Sequence, residues 1–180
     1  MNIHSLFTSL LLLGLVSCSP QYSYFTQNLY ENQKWTQEDI RRIQFYVSRD
    51  IVLTRSLTDG DSKIAEGKIR IRNGRKVEQV VIKTGTPGVL VLMPKEDRFA
   101  ISFEPDDNDA YLMFGPNPKL DNRYALLAQT WEQQNGKVHY KGNVYDVDSS
   151  SAYASLMVDL QRIGSNEYQT HRAQGRTIKN

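Results

Sequence analysis

Five oxygen donors fall within six residues of the stretch FEPDDNDAY: Glu104, Asp106, Asp107, Asn108 and Asp109. Hard carboxylate and amide oxygens are the ligands calcium takes, which makes Asp106, Asp107 and Asp109 weak metal candidates. The spaced glycine and distant glutamate of an EF-hand loop are missing, so a solvated turn between two strands is the preferred reading. A second cluster has the opposite sign. Lys68, Arg70 and Arg72, with Lys76 next to them, put a row of positive charge on one ribbon. Guarding an edge strand against unwanted pairing is the preferred reading of such a row; the alternative is contact with lipid phosphates, lipopolysaccharide or an acidic partner, rather than nucleic acid. Nucleophilic or metal chemistry has little material. The histidines are His4, His139 and His171, and His139 alternates with Lys137 and Lys141 away from Val138 and Tyr140, as a solvated strand residue does. No pair of histidines has zinc spacing. No Gly-Xaa-Ser-Xaa-Gly elbow or phosphate-cradling loop is present. The expected class is therefore not an enzyme.

The single cysteine, Cys18, ends the apolar run LFTSLLLLGLV over residues 6–16. That run is too short for the ~20 residues of a spanning helix but fits the core of a signal peptide. Leu15-Val16-Ser17-Cys18 resembles the bacterial lipobox, although Met1-Asn2-Ile3-His4 carries no Lys or Arg. The resemblance implies that the Cys18 thiol receives a diacylglyceryl group, that the preceding bond is cut and that the new amine is acylated. It implies no other cofactor. Cys18 is then an anchor, and the exported chain must fold without a disulfide. The implied organisation is a leader over 1–17, a lipidated tether over 18–34, a β-rich domain over 35–164 and a polar tail over 165–180. Ser19, in place of the aspartate of an inner-membrane retention signal, favours the outer membrane. The absence of an acidic run after Cys18 favours its periplasmic face over the cell surface.

These residues need a scaffold, and the chain has enough length for one domain or two small β units. It has 180 residues, 39% of them apolar, and a formal net charge of +2. Near-neutrality names no partner. Ten tyrosines against six phenylalanines suit half-buried sheet positions. In the tether, Tyr22, Tyr24, Phe25 and Tyr30 are expected to pack on the domain, or else to lie at the headgroup level of a membrane. A helix is predicted from Gln37 to about Ser48, with Thr36 as N-cap, Asp39 three residues on, a Trp35–Ile40 staple and a stripe of Ile40, Ile43 and Val47.

From Asp50 onward the apolar period becomes two. IVLTRSL reads as a strand with Asp59-Gly60 as its turn. In GKIRIRNGRKVEQVVIK, face matching favours a three-residue loop that sets Ile69 against Val77 and Lys68 against Glu78; a two-residue Asn73-Gly74 loop would set Ile69 against Glu78. Further strands are predicted over 88–93, 98–104, 110–115, 124–132, 136–142, 144–147 and 152–160, the last also compatible with a helix. Turns are placed at Thr86-Pro87-Gly88, Asp106-Asp107-Asn108, Gly115-Pro116-Asn117-Pro118 and Asn135-Gly136. The fold class is mainly β, an antiparallel barrel or sandwich with one N-terminal helix.

GKIRIRNGRKV and GKVHYKGNVY echo each other, which raises a duplicated hairpin and two related β units. FYVSRDIVLTR, GTPGVLV and FGPNP resemble small β-rich bacterial envelope lipoproteins of unassigned function, and that resemblance assigns no catalytic residue. The expected role is a non-enzymatic binding or scaffolding subunit of an envelope complex for outer-membrane assembly, secretion or transport. It is held to the membrane by its lipid, meets an envelope protein through strand edges and the loop GPNPKLDN, and does not bind nucleic acid. The alternative is a glycan binder, or an inhibitor of an envelope-degrading enzyme, with a cleft using Tyr111, Trp131 or Tyr140.

Overall fold

The computed structural model describes residues 21–57, 68–72, 75–132 and 135–165. Two antiparallel sheets make a mainly β sandwich. The first has seven strands in the order β1 (Tyr22–Tyr24), β13 (Leu156–Asp159), β2 (Phe45–Val47), β6 (Pro87–Lys95), β7 (Arg98–Ser102), β8 (Tyr111–Asn117) and β9 (Arg123–Leu126). The second has six: β10 (Thr130–Glu132), β11 (Asn135–Tyr140), β12 (Asn143–Asp148), β3 (Ile51–Ser56), β5 (Arg75–Ile82) and β4 (Lys68–Arg72). Among the described residues no ladder closes the first sheet into a barrel. Single bridges, Thr26 to Arg123 and Ala125 to Ser155, tie β9 back to the segments flanking β1 and β13.

The presumed tether is part of this body from Tyr22 onward. Phe25 has no exposed surface and sits among Phe45, Phe99 and Tyr124, with ring centroids 5.3, 5.6 and 4.9 Å away. Helix α1 (Gln27–Gln33) follows, its first turn closed by the Thr26 hydroxyl accepting from the Leu29 N–H, and it ends at Lys34 in the left-handed region. Tyr30 packs partly buried against the core. The packing expected of the tether aromatics holds for Phe25 and Tyr30, while Tyr22 and Tyr24 remain 38% and 42% exposed.

Helix α2 (Gln37–Arg41) has the predicted capping box between Thr36 and Asp39 but stops far short of Ser48. Phe45, Tyr46 and Val47 form β2 instead, all three buried, paired with Val158, Met157 and Leu156 on one side and with β6 on the other. A short isolated helix is marginal, whereas an aromatic and β-branched triplet gains by covering both faces of an interior strand.

Other corrections follow from tertiary demands. The predicted strand 124–132 is two strands in different sheets. Leu127 N–H donates to Met113 in the first sheet and Gln129 N–H to Lys137 in the second, 2.8 Å each, so the chain changes layer across three residues. The segment 152–160 contains a 3-10 turn over Ser151–Tyr153, then β13, then α3 (Leu160–Ser165). Asn135 and Gly136 belong to β11, paired with Glu132 and Trp131. Before β6 the reversal is made by Gly85 at φ 77, with Thr86 N–H donating to Lys83, while Pro87 and Gly88 are already strand. A Cβ on Gly88 would lie 2.7 Å from both the buried Ile101 and Phe103. Gly88→Ala is expected to lower unfolding free energy by about 1–3 kcal/mol through overpacking, read from a denaturant midpoint at unchanged slope.

The two echoing hairpins, β4–β5 and β11–β12, flank β3 in one sheet and do not found separate β units. The register of β4 on β5 is also different from the face-matched one: Ile69 opposes Glu78 and Arg70 opposes Val77. Face matching assumed that Glu78 points to water. Glu78 is buried with 4% exposure, because Arg55 opposes it on β3 and meets its carboxylate. A buried ion pair therefore reverses the apparent polarity of the strand. The buried side chains of both layers form one cluster, from Phe25 and Phe99 through Ile51 and Leu53 to Tyr140 and Val147. No helix among the described residues is long and apolar enough to cross a membrane.

Candidate binding surfaces and the polar clusters behind them

The acidic stretch connects the two layers. Asp107 Oδ1 accepts from the backbone N–H groups of Asp109 and Ala110 at 3.0 and 3.1 Å. Its other carboxylate oxygen lies 3.1 Å from Lys141 Nζ on the β11–β12 turn, and the hydrogen bond from Lys141 is the largest cause of a carboxyl pKa held below the usual range. Ser102 Oγ donates to the Asp107 carbonyl at 2.8 Å, and Tyr140 OH donates to Glu104 at 3.0 Å. Among the described residues no three His, Cys, Asp or Glu side chains are grouped to hold a metal ion. Asp106 and Asp109 are exposed, while Asp107 shapes the turn and latches it to the second sheet.

The basic row lies on β4, the outermost strand of the second sheet. Its register sets Lys68 across from Gln79, Arg70 from Val77 and Arg72 from Arg75, whereas Lys76 stands across from Ile71. Lys76, which is exposed, is thus out of step with the other three. The opposite margin of that sheet is β10, whose three residues are all exposed. Trp131 there is 41% exposed and packs over Gly136, where a Cβ would come within 2.8 Å of the indole.

Beside β10 the solvent face of the sheet holds an open depression of about 430 Å³ lined by Thr130, Glu132, Asn135, Lys137 and Asp146. Lys137 Nζ donates to Asp146 at 2.8 Å, and that bond raises the ammonium pKa. An ammonium among carboxylates and amides on a sheet surface offers hydrogen bonds to a polar partner. His139 lies on the same exposed side of β11, alternating with buried Val138 and Tyr140 as its pattern predicts. No family model matches the chain, and no curated protein or solved structure matches it either.

Tyr111, Trp131 and Tyr140 are not brought into a shared cleft: Tyr140 is 2% exposed and Trp131 lies at the β10 margin. The loop 115–122 is firmly built. It contains the end of β8 and a 3-10 turn over Pro118–Leu120, and the Asn122 carbonyl accepts from Gln27 N–H at the start of α1. Cys18, the Asp59-Gly60 turn, the Asn73-Gly74 loop and the tail from 166 lie outside the described residues.

Sequence reasoning missed the polar group on the buried side of the second sheet. Arg55 Nη1 donates to Asn143 at 2.9 Å, Tyr145 OH donates to Glu78 at 3.0 Å, and the guanidinium lies 5.6 Å from the Tyr145 ring centre. The available signal was an arginine and a glutamate at core-phase positions of strands otherwise made of Ile, Leu and Val. Burial is the largest cause of raised pKa values at Tyr124, Tyr140 and Tyr145. Folded-state values above the ordinary one near 10 mean a contribution that is whole below about pH 10 and is lost as pH rises through the raised values. The unfolding midpoint is expected to be flat from pH 8 to about 10 and then to fall, with tyrosinate absorbance from these rings appearing together with unfolding.

Proposed function

We propose that the chain is a bacterial envelope lipoprotein. Acyl chains on Cys18 hold it at the outer membrane, periplasmic side, where it is a non-enzymatic binding or scaffolding subunit of an assembly, secretion or transport complex. The observation that carries this reading is one of spacing. The lipobox-like Leu15-Val16-Ser17-Cys18 is followed after only three residues by the first strand of the folded body, at Tyr22. A nucleophilic thiol is what lipid transfer requires. Each buried methylene adds about 0.8 kcal/mol and one chain binds only marginally, so two or three chains make the attachment durable.

The margins β4 and β10 supply the contacts for an envelope partner. Among the described residues each pairs with one neighbour in its sheet, and the other margin of such a strand offers backbone donors and acceptors for strand addition. The basic positions Lys68, Arg70 and Arg72 on β4 select an acidic partner. Mass spectrometry of the native protein is expected to find an amino-terminal Cys18 peptide carrying diacylglyceryl and N-acyl groups, and an unmodified thiol or intact leader would overturn the anchor. Affinity purification from solubilised envelopes is expected to recover a specific protein whose capture falls with Arg70→Glu and Arg72→Glu. Capture unchanged by charge reversal would remove β4 as the contact.

A further inference from the structure

We infer that the outer face of the first sheet, around β1, is the surface that lies against the phospholipid headgroups; this rests on the lipid anchor proposed above. Phe25 turns inward, and the alternation of a strand then sends Tyr22 and Tyr24 outward, where they are 38% and 42% exposed. Tyr24 opposes Met157 and Tyr22 opposes Asp159 across the β1–β13 pairing, while Tyr46, next on that face of β2, is covered and only 9% exposed. The Tyr22 and Tyr46 ring centres are 4.5 Å apart. Two arginines belong to the same face, each also paired with a carboxylate, Arg123 with Asp121 and Arg162 with Asp159. The Arg123 guanidinium lies 3.9 Å over the Tyr24 ring, and Arg162 Nη1 donates to the Tyr46 hydroxyl at 3.4 Å.

Rings with one apolar and one polar end settle at the membrane–water boundary, and arginines among them meet lipid phosphate. The covalent geometry limits how far the start of this strand can stand from the bilayer. Four residue steps separate Cys18 from Tyr22, a reach of at most about 14 Å for an extended chain. The headgroup layer is itself about 6–8 Å deep on each side. A glyceride seated at that layer therefore keeps the start of β1 at the bilayer surface.

The test uses the lipidated full chain on vesicles of phosphatidylethanolamine and phosphatidylglycerol. Once Cys18 is acylated, an introduced cysteine is the single free thiol and accepts an environment-sensitive dye. At Tyr22→Cys the dye is expected to lose quenching by aqueous iodide and to be quenched by nitroxide-bearing lipid. At His139→Cys, on the solvent face of the other sheet, it is expected to do the reverse. Tyr24→Cys repeats the measurement should the first variant fail to fold. Equal iodide quenching at both faces overturns the inference while leaving the anchor intact. Labelling of Cys18 itself, with protein free of the vesicles, overturns the anchor and the apposed face together.

Discussion

Glu78→Ala is expected to destabilise the fold by about 3–5 kcal/mol, because it strands a guanidinium in a low-dielectric interior. The Arg55 and Glu78 side chains are 17% and 5% exposed, so water replaces the lost carboxylate around Arg55 only in part. The Tyr145 hydroxyl, which donates to Glu78, loses its acceptor at the same time. Replacing both charges, as in Arg55→Met with Glu78→Leu, is expected to recover most of the loss, since a packed apolar pair of similar volume matches a buried ion pair in stability. Denaturant unfolding of the wild type, the two single variants and the double variant checks this as a coupling energy. Single losses that simply add would show that the pair does not act as a unit. The double variant should also lower the raised Tyr145 value, because the bond to Glu78 is its second cause after burial.

Phe25→Ala should be about as costly, at about 3–5 kcal/mol for a buried ring that leaves a cavity. Phe25 has no exposure and touches rings from β2, β7 and β9, at Phe45, Phe99 and Tyr124. Its backbone contributes as well, donating to the Leu156 carbonyl at 2.9 Å and accepting from Tyr124 N–H at 3.0 Å. The neighbouring Tyr24→Ala removes a ring 42% exposed and should cost far less. Thermal melts of the two variants separate a structural first strand from a tether: comparable melts would return residues 22–34 to the status of a linker.

What the residues made legible was local. The capping box at Thr36 and Asp39, the outward phase of His139 and most of the strands from Ile51 onward follow from side-chain type and period. What they concealed depends on partners distant in the chain. Phe45, Tyr46 and Val47 satisfy a helical stripe as well as a strand, and only pairing with β13, more than a hundred residues later, decides between them. Glu78 reads as solvent-facing until Arg55 and Tyr145 supply its partners, and the hairpin register shifted with it. The layer change at Leu127–Gln129 has no marker in composition, since both halves of 124–132 alternate alike. At the surfaces, the basic row was visible but its fourth member, Lys76, was out of register. The acidic loop was visible as a cluster of oxygens, yet its bonds to Tyr140 and Lys141 connect residues more than thirty positions apart.

The bridging of β9 onto the chain that continues β1 has a mechanical consequence. Along its short length this segment is stitched to β13 on one side and to β9 on the other, with Gln27 N–H also bonded to Asn122. Tension drawn lengthwise from the amino-terminal end loads the rungs on both sides simultaneously, as in a shear joint, and not one after another as in a peeled seam. Rupture under load is governed by the unfolding rate, so force applied at this end must break both sets of rungs together.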